Sequence, residues 1–474
     1  MTSLPAAFGV ATPFLADAAN SAYHGGVSLL WGWLPLTIQV VAAVTVLLGI
    51  GWRSRRWRGV WLPLAVLVGV AVVGCTYWYV KYQGIGDNPA LPIFWLWVGL
   101  TGFVVAVAVL GWRTTRWWRR GASLLAVPLC LLCCGITLNW SVGYFTTVQM
   151  AWNELTVGSL PDQVDHSAVT AMQQTHTVPA HGTVVPVKIP NDMSKFKHRT
   201  EFVYLPPAWY STNPPPRLPT VMMIGGQFNT PADWIRQGDA VNTLDHFASA
   251  HGGNAPVFVF VDTGGSFRND TECVNGPRGN AADHLTREIM PFMSAQFGVS
   301  DDRTNWGIVG FSMGGTCAVD LTVMHPELFR SFVDIAGDLR PASGTKEQTI
   351  SRLFGGDAAA AAAFDPITVM NNHGQYRGVS GWFAVSTTPV ADQDPLSLST
   401  PRTHSDTSAE IDAANTLCAL GKAKGISCAV VATPGRHKWQ FAQQVFGSTL
   451  PWLAGQIDTP AIAHSPLPVT AAKN

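Results

Sequence analysis

Four long apolar stretches limit what this chain can fold into. They span residues 27–50, 59–80, 90–112 and 121–145, and none carries Asp, Glu, Lys or Arg in its interior. Each reaches the about 20 residues needed to cross about 30 Å of hydrocarbon as a helix. Trp and Tyr crowd their ends in "WGW", "TYWYVKY" and "RWWRR", as in interfacial aromatic belts. The first run is too long for a cleaved signal peptide, and no Lys or Arg precedes it. The runs hold no ionisable residue of the kind a transport pathway needs, so they are expected to anchor.

The charges between the runs suggest an orientation. Arg53, Arg55, Arg56 and Arg58 lie between the first two runs, and Arg113, Arg116, Arg119 and Arg120 between the last two. The middle loop holds only Lys81, balanced by Asp87. Basic loops stay in the cytoplasm, so four crossings would leave both termini and everything after residue 150 on the extracytoplasmic side. The expected organisation is an anchor over 1–150, a linker over 151–180, a catalytic domain over 181–456 and a flexible tail over 457–474.

Formal net charge is zero, which gives no reason to expect nucleic acid as a partner. The bilayer is the expected partner of the anchor. Cys75, Cys130, Cys133 and Cys134 lie in apolar runs and read as packing residues, since "CLLCC" has no neighbouring zinc ligands. Cys273, Cys317, Cys418 and Cys428 lie in the second half, where an oxidising space would permit disulfides. Cys418 with Cys428 is the favoured pair, closing a short helix-to-strand loop.

That half alternates strand and helix signals. "GTVVPVKIP" (182–190) and "RTEFVYLPP" (199–207) read as half-buried strands. "VMMIGG", "PVFVFVD", "WGIVGF", "SFVDIAG", "GWFAVST" and "SCAVVAT" read as central ones, with helices expected over 281–297, after Ser312 and near 408–424. This pattern predicts an α/β domain with a mainly parallel sheet and helices on both faces.

One segment carries chemistry. Gly310-Phe311-Ser312-Met313-Gly314 is a G-x-S-x-G elbow between a strand and a helix. The sharp turn brings its flanks together, so bulky residues cannot stand at the glycine positions. The helix behind Ser312 points its N-terminus at any negative charge that develops there. A serine hydroxyl needs a base, and His437, after the last strand, stands where chain order requires it. The acid should follow "GWFAVST". Asp392 is placed first and Asp394 next, with Asp406 and Glu410 further on. The oxyanion hole would take one N–H from Met313 and a second from the loop at Gly226 or Gln227. No metal or organic cofactor is expected.

From 180 to 455 the chain resembles the putative esterase family of α/β-hydrolases, with its esterase D-like enzymes and secreted mycobacterial mycolyltransferases. The likeness rests on "RTEFVYLPPAW", "MIGGQFNTPADW", "VFVDTGGSF", "GFSMGGTCAVDLTVMHPELFRSFVDIAG", "FGGDAAAAAAFDP" and "GRHKW", in that order. It implies Ser312 as nucleophile, His437 as base, and the N–H groups of Gln227 and Met313 as the oxyanion hole. The transferases' acid, a Glu at the start of the last helix, would point to Glu410. Esterase D-like members use an Asp nearer the strand. Where the transferases hold trehalose with an Asp and an Arg, this chain has Gly225 and Phe228, so that contact is not carried over. The expected function is an anchored serine esterase acting on lipid or envelope esters. Acyl transfer by the same residues, or a non-catalytic assembly role, are the alternatives.

Overall fold

The computed structural model describes residues 26–51, 54–83, 92–156, 159–387 and 405–468. They divide into two units, one built mainly on Gly26–Leu155 and the other on Thr156–Ala342 with the residues from Thr349 onward.

The first unit holds α1 (Trp33–Ile50), α2 (Leu62–Gln83, entered through a π-helical turn at Trp57–Trp61), α3 (Pro92–Gly111) and α4 (Trp117–Val142). Among the described residues, four helices are long and apolar enough to cross a membrane. Helix α1 packs on α4, α4 on α3, and α3 on α2. Ala42, Val46, Trp97, Val104, Ala126 and Cys130 fill the interior. Small residues permit the α2–α3 approach: a Cβ on Gly102 would come within 2.7 Å of Val72 Cγ2. The outward faces are apolar too, with Leu47, Leu67, Val70 and Val109 64–70% exposed. Such a surface suits hydrocarbon better than water. Cys130 and Cys133 are buried as expected, whereas Cys75 is exposed rather than a packing residue.

The second unit is an eight-stranded sheet of β1 (Thr183–Val187), β2 (Glu201–Leu205), β3 (Thr220–Ile224), β4 (Val257–Val261), β5 (Trp306–Phe311), β6 (Ser331–Ile335), β7 (Ser380–Thr387) and β8 (Ser427–Pro434). Their spatial order is β1-β2-β4-β3-β5-β6-β7-β8. The β1–β2 and β2–β4 pairs are antiparallel and all others parallel. Every residue of β3, β4, β5 and β6 is buried, which explains why these strands read as unbroken apolar runs. The flanking helices that bear on the site are α5 (Ala240–Ala250), α6 (Ile289–Phe297), α7 (Met313–Met324), α8 (Ser405–Ala423) and α9 (Trp439–Gln456). The expected α/β architecture is the observed one.

Two boundaries differ from expectation. Residues 151–180 are not a bare linker: His166–Gln174 is helical and Val169 enters the core, while Val164 N–H donates to Val184 O at 2.9 Å. The chain from 457 is not free over its first part either. Asn305 donates to Ile457 O at 3.0 Å, Arg330 reaches Asp458 at 3.1 Å, and Gln456 donates to Ser465 O at 3.1 Å.

Cys418 and Cys428 are bonded, as expected from their short separation. Cys273 and Cys317 form a second disulfide across 44 residues, tying the loop after β4 to helix α7.

Candidate active site

Ser312 ends β5 and begins α7 with φ 60° and ψ −123°. A non-glycine residue there is strained by about 1–3 kcal/mol and persists only where its surroundings fix it. They do: Ser312 N–H donates to Ile335 O at 2.8 Å, and Ser312 O accepts from Gly315 N–H at 2.8 Å. A Cβ on Gly310 would run into the carbonyl of Gly314, and one on Gly314 into the carbonyls of Ile224 and Gly225. The glycines are therefore required by close backbone approach.

His437 follows β8. Its Nε2 lies 2.8 Å from Ser312 Oγ, and its Nδ1 lies 2.9 Å from Glu410 Oε1. The ring packs on Phe311 at 5.0 Å between centroids. Trp439, two residues on, packs against Phe311 and Trp234, and Trp234 Nε1 donates to Ile224 O at 2.9 Å. Trp234 and Trp439, both buried, thus support the site from within the core.

The carboxylate that meets His437 Nδ1 is that of Glu410 on α8. Asp392 and Asp394 lie outside the described residues. Ser386, at the end of β7, donates to Glu410 Oε2 at 2.9 Å and turns the other oxygen toward the ring. Asp334 on β6 also feels Glu410. Burial first, and then the nearby Asp338 and Glu410 charges, push it up to about 8 against the Gly337 N–H that it accepts.

Gln227 and Met313 line one small surface cleft together with Gly226, Phe228, Asn269 and Arg199. The Gln227 side chain donates to Asp270 Oδ2, which lines the same cleft, at 2.9 Å. Arg199 was not singled out in the sequence. It holds the Asp262 carboxylate through Nε and Nη2 and donates from Nη2 to Asn229 O at 2.7 Å, bracing the loop that carries Gln227. Burial would raise Asp262, but the Arg199 contacts and the Gly264 N–H hold it below the usual range. These partners are 63 residues apart, so no local pattern marks them.

Among the described residues, His198, Glu201 and His284 have metal-ligating types with ligand atoms within 4.8 Å of one another. Their geometry favours protons instead. His198 faces Ile189 O at 2.8 Å and Arg199 O at 2.9 Å, while His284 faces Glu288 Oε2 at 2.7 Å and Glu201 Oε1 at 3.1 Å. All four ring nitrogens thus point at oxygens, and the rings stack at 4.4 Å rather than converging on a point. Burial alone would lower His284, but the bonds and charges of Glu201 and Glu288 outweigh it and raise its pKa. A raised folded pKa stabilises the fold below the unfolded value, near 6.5, and that contribution is lost as pH rises through the folded value. The melting temperature of the full-length protein should therefore fall as pH rises above about 6.5, with a shallower fall in His284→Gln. Equal slopes in differential scanning fluorimetry would refute this.

A serine on a strained strand-to-helix elbow, an imidazole on its hydroxyl and a carboxylate behind the ring define a serine hydrolase or acyltransferase of the α/β-hydrolase class. Residues 196–442 match the family described as Putative esterase, and the chain belongs to that family. An uncharacterized protein of Corynebacterium glutamicum is 28% identical over 435 residues, covering 88% of this chain and 94% of the relative. Among solved structures, a ferulic acid esterase is 16% identical over 58% of this chain and 98% of its own, with a TM-score of 0.45. An S-formylglutathione hydrolase from Agrobacterium tumefaciens is 18% identical over 58% and 96%, also with a TM-score of 0.45.

Proposed function

We propose that this protein is a membrane-anchored serine esterase whose catalytic unit works on the extracytoplasmic side on lipid or cell-envelope esters. The observation that carries the chemistry is the continuous hydrogen-bond relay from Ser312 through His437 to Glu410. His437 Nε2 takes the Ser312 proton as Oγ attacks the ester carbonyl carbon. The carbonyl oxygen becomes an oxyanion, held by the N–H groups of Gln227 and Met313 at the positive end of α7. Glu410 keeps Nδ1 protonated and stabilises the imidazolium. The imidazolium then protonates the departing alcohol, leaving an acyl-serine. Water, activated by the same ring, releases the acid. Another alcohol in its place would make the reaction an acyl transfer.

The sidedness rests on the two arginine-rich loops and is supported by the two disulfides, which persist in oxidising compartments. The four apolar helices support the anchor. The test is labelling of intact cells with a membrane-impermeant fluorophosphonate, followed by turnover of p-nitrophenyl esters with and without added alcohols. Labelling of intact cells is expected. Labelling only after lysis would overturn the orientation, and alcohol-dependent ester products would assign transfer.

A further inference from the structure

Phe228 stands in the loop after β3, one residue beyond Gln227, with φ 68°. A left-handed conformation is costly for a bulky side chain, and such outliers concentrate at binding and catalytic sites. Phe267 stands on the loop after β4 and is 68% exposed. The two rings face each other, with centroids 5.3 Å apart and planes tilted by 34°. Phe228 lines the cleft that Gly226, Gln227 and Met313 line, and Gly264, Ser266 and Asn269 from the loop of Phe267 line it as well. A single exposed phenylalanine means little, but an aromatic pair at the rim of the reacting centre is a place to receive hydrocarbon.

The cleft's position decides which part of an ester lies there. His437 protonates the departing alcohol, so the alcohol leaves on the imidazole side. The lining of this cleft comes from the oxyanion loop, the 263–270 segment, Arg199 and Met313 and includes none of Ser312, His437 and Glu410, but Ser312 borders it: a Cβ on Gly226 would lie 3.2 Å from Ser312 Cβ. The other substituent of the carbonyl carbon, the acyl chain, is the part that extends along it.

We propose that Phe228 and Phe267 form an apolar rim that receives the acyl chain and sets the chain-length preference of the enzyme. This rests on the serine esterase reading above. Such a rim favours chains long enough to lie across both rings over an acetyl group, which offers them little apolar area.

The test compares kcat/KM for p-nitrophenyl acetate, butyrate and octanoate in the full-length protein, wild type against Phe267→Ser, Phe267→Leu and Phe228→Gly. The leaving group is constant, so the octanoate-to-acetate ratio reads the acyl chain alone and cancels changes common to all substrates. Phe267 is exposed, and Phe228→Gly removes a left-handed strain, so both sites tolerate substitution. The ratio is expected to fall about tenfold in Phe267→Ser and in Phe228→Gly, and to recover in Phe267→Leu, which restores apolar area. An unchanged ratio in both ring-removing variants, with acetate still hydrolysed, would overturn the rim while leaving the esterase reading intact. Failure of the wild type to hydrolyse even acetate would overturn both.

Discussion

Ser312→Ala is expected to lower ester turnover by about 10⁶-fold, the scale reached when a serine nucleophile is removed from such a relay. The loss should fall on kcat, because the cleft and the N–H groups that would hold the carbonyl oxygen are unchanged. Ser312→Gly should be equally inactive but more heat-stable by about 1 kcal/mol, since glycine adopts φ 60° without strain. Ester turnover with both variants and a melting curve check this together. An active Ser312→Ala protein would mean that the elbow is only a turn.

The second large effect separates two carboxylates. Glu410→Gln should lower kcat by about 10⁴-fold, because an amide no longer fixes the His437 tautomer or balances the imidazolium charge. Asp392→Asn should change kcat little. Ser386→Ala should lie between wild type and Glu410→Gln, since it frees the carboxylate that Ser386 orients. Steady-state kinetics of the three variants decide the matter: a collapse in Asp392→Asn with normal turnover in Glu410→Gln would reverse the assignment.

The acid also marks where the sequence ceases to be sufficient. Ser312 and His437 were readable because the elbow is local and the base is fixed by chain order. The sheet was readable for a related reason: burial on both faces leaves β3, β4, β5 and β6 as apolar runs that need no knowledge of partners, while β1 and β2 show as half-buried strands. The acid was not. Asp392 and Asp394 follow β7 more closely in the sequence, but helix α8 brings Glu410 to the ring, and a helical position cannot be located from its distance along the chain. Glu410 stood among the more distant candidates, and the family resemblance alone favoured it. The brace of Arg199 on Asp262 and Asn229 was invisible for the same reason, because a long-range ion pair leaves no periodic trace. The cysteines repeat the lesson. Cys418 and Cys428 sit 10 residues apart and could be paired by eye, whereas the Cys273–Cys317 bond depends on how the loop after β4 meets α7.

The buried His284 cluster and the relay at His437 use the same residue types for different ends. In the cluster both ring nitrogens face oxygens, and the ring holds its proton as part of the fold. In the relay one nitrogen faces a hydroxyl, so the ring is free to accept a proton. The ligand sets differ although the residues do not.

The most direct test of the account is the rate and location of fluorophosphonate attachment to the full-length protein, wild type against His437→Gln, mapped by peptide mass. The expected result is one adduct on the peptide that contains Ser312, forming at least about 10³-fold more slowly without the imidazole. An adduct on another residue, or equal rates in the two proteins, would contradict the claim that His437 activates Ser312.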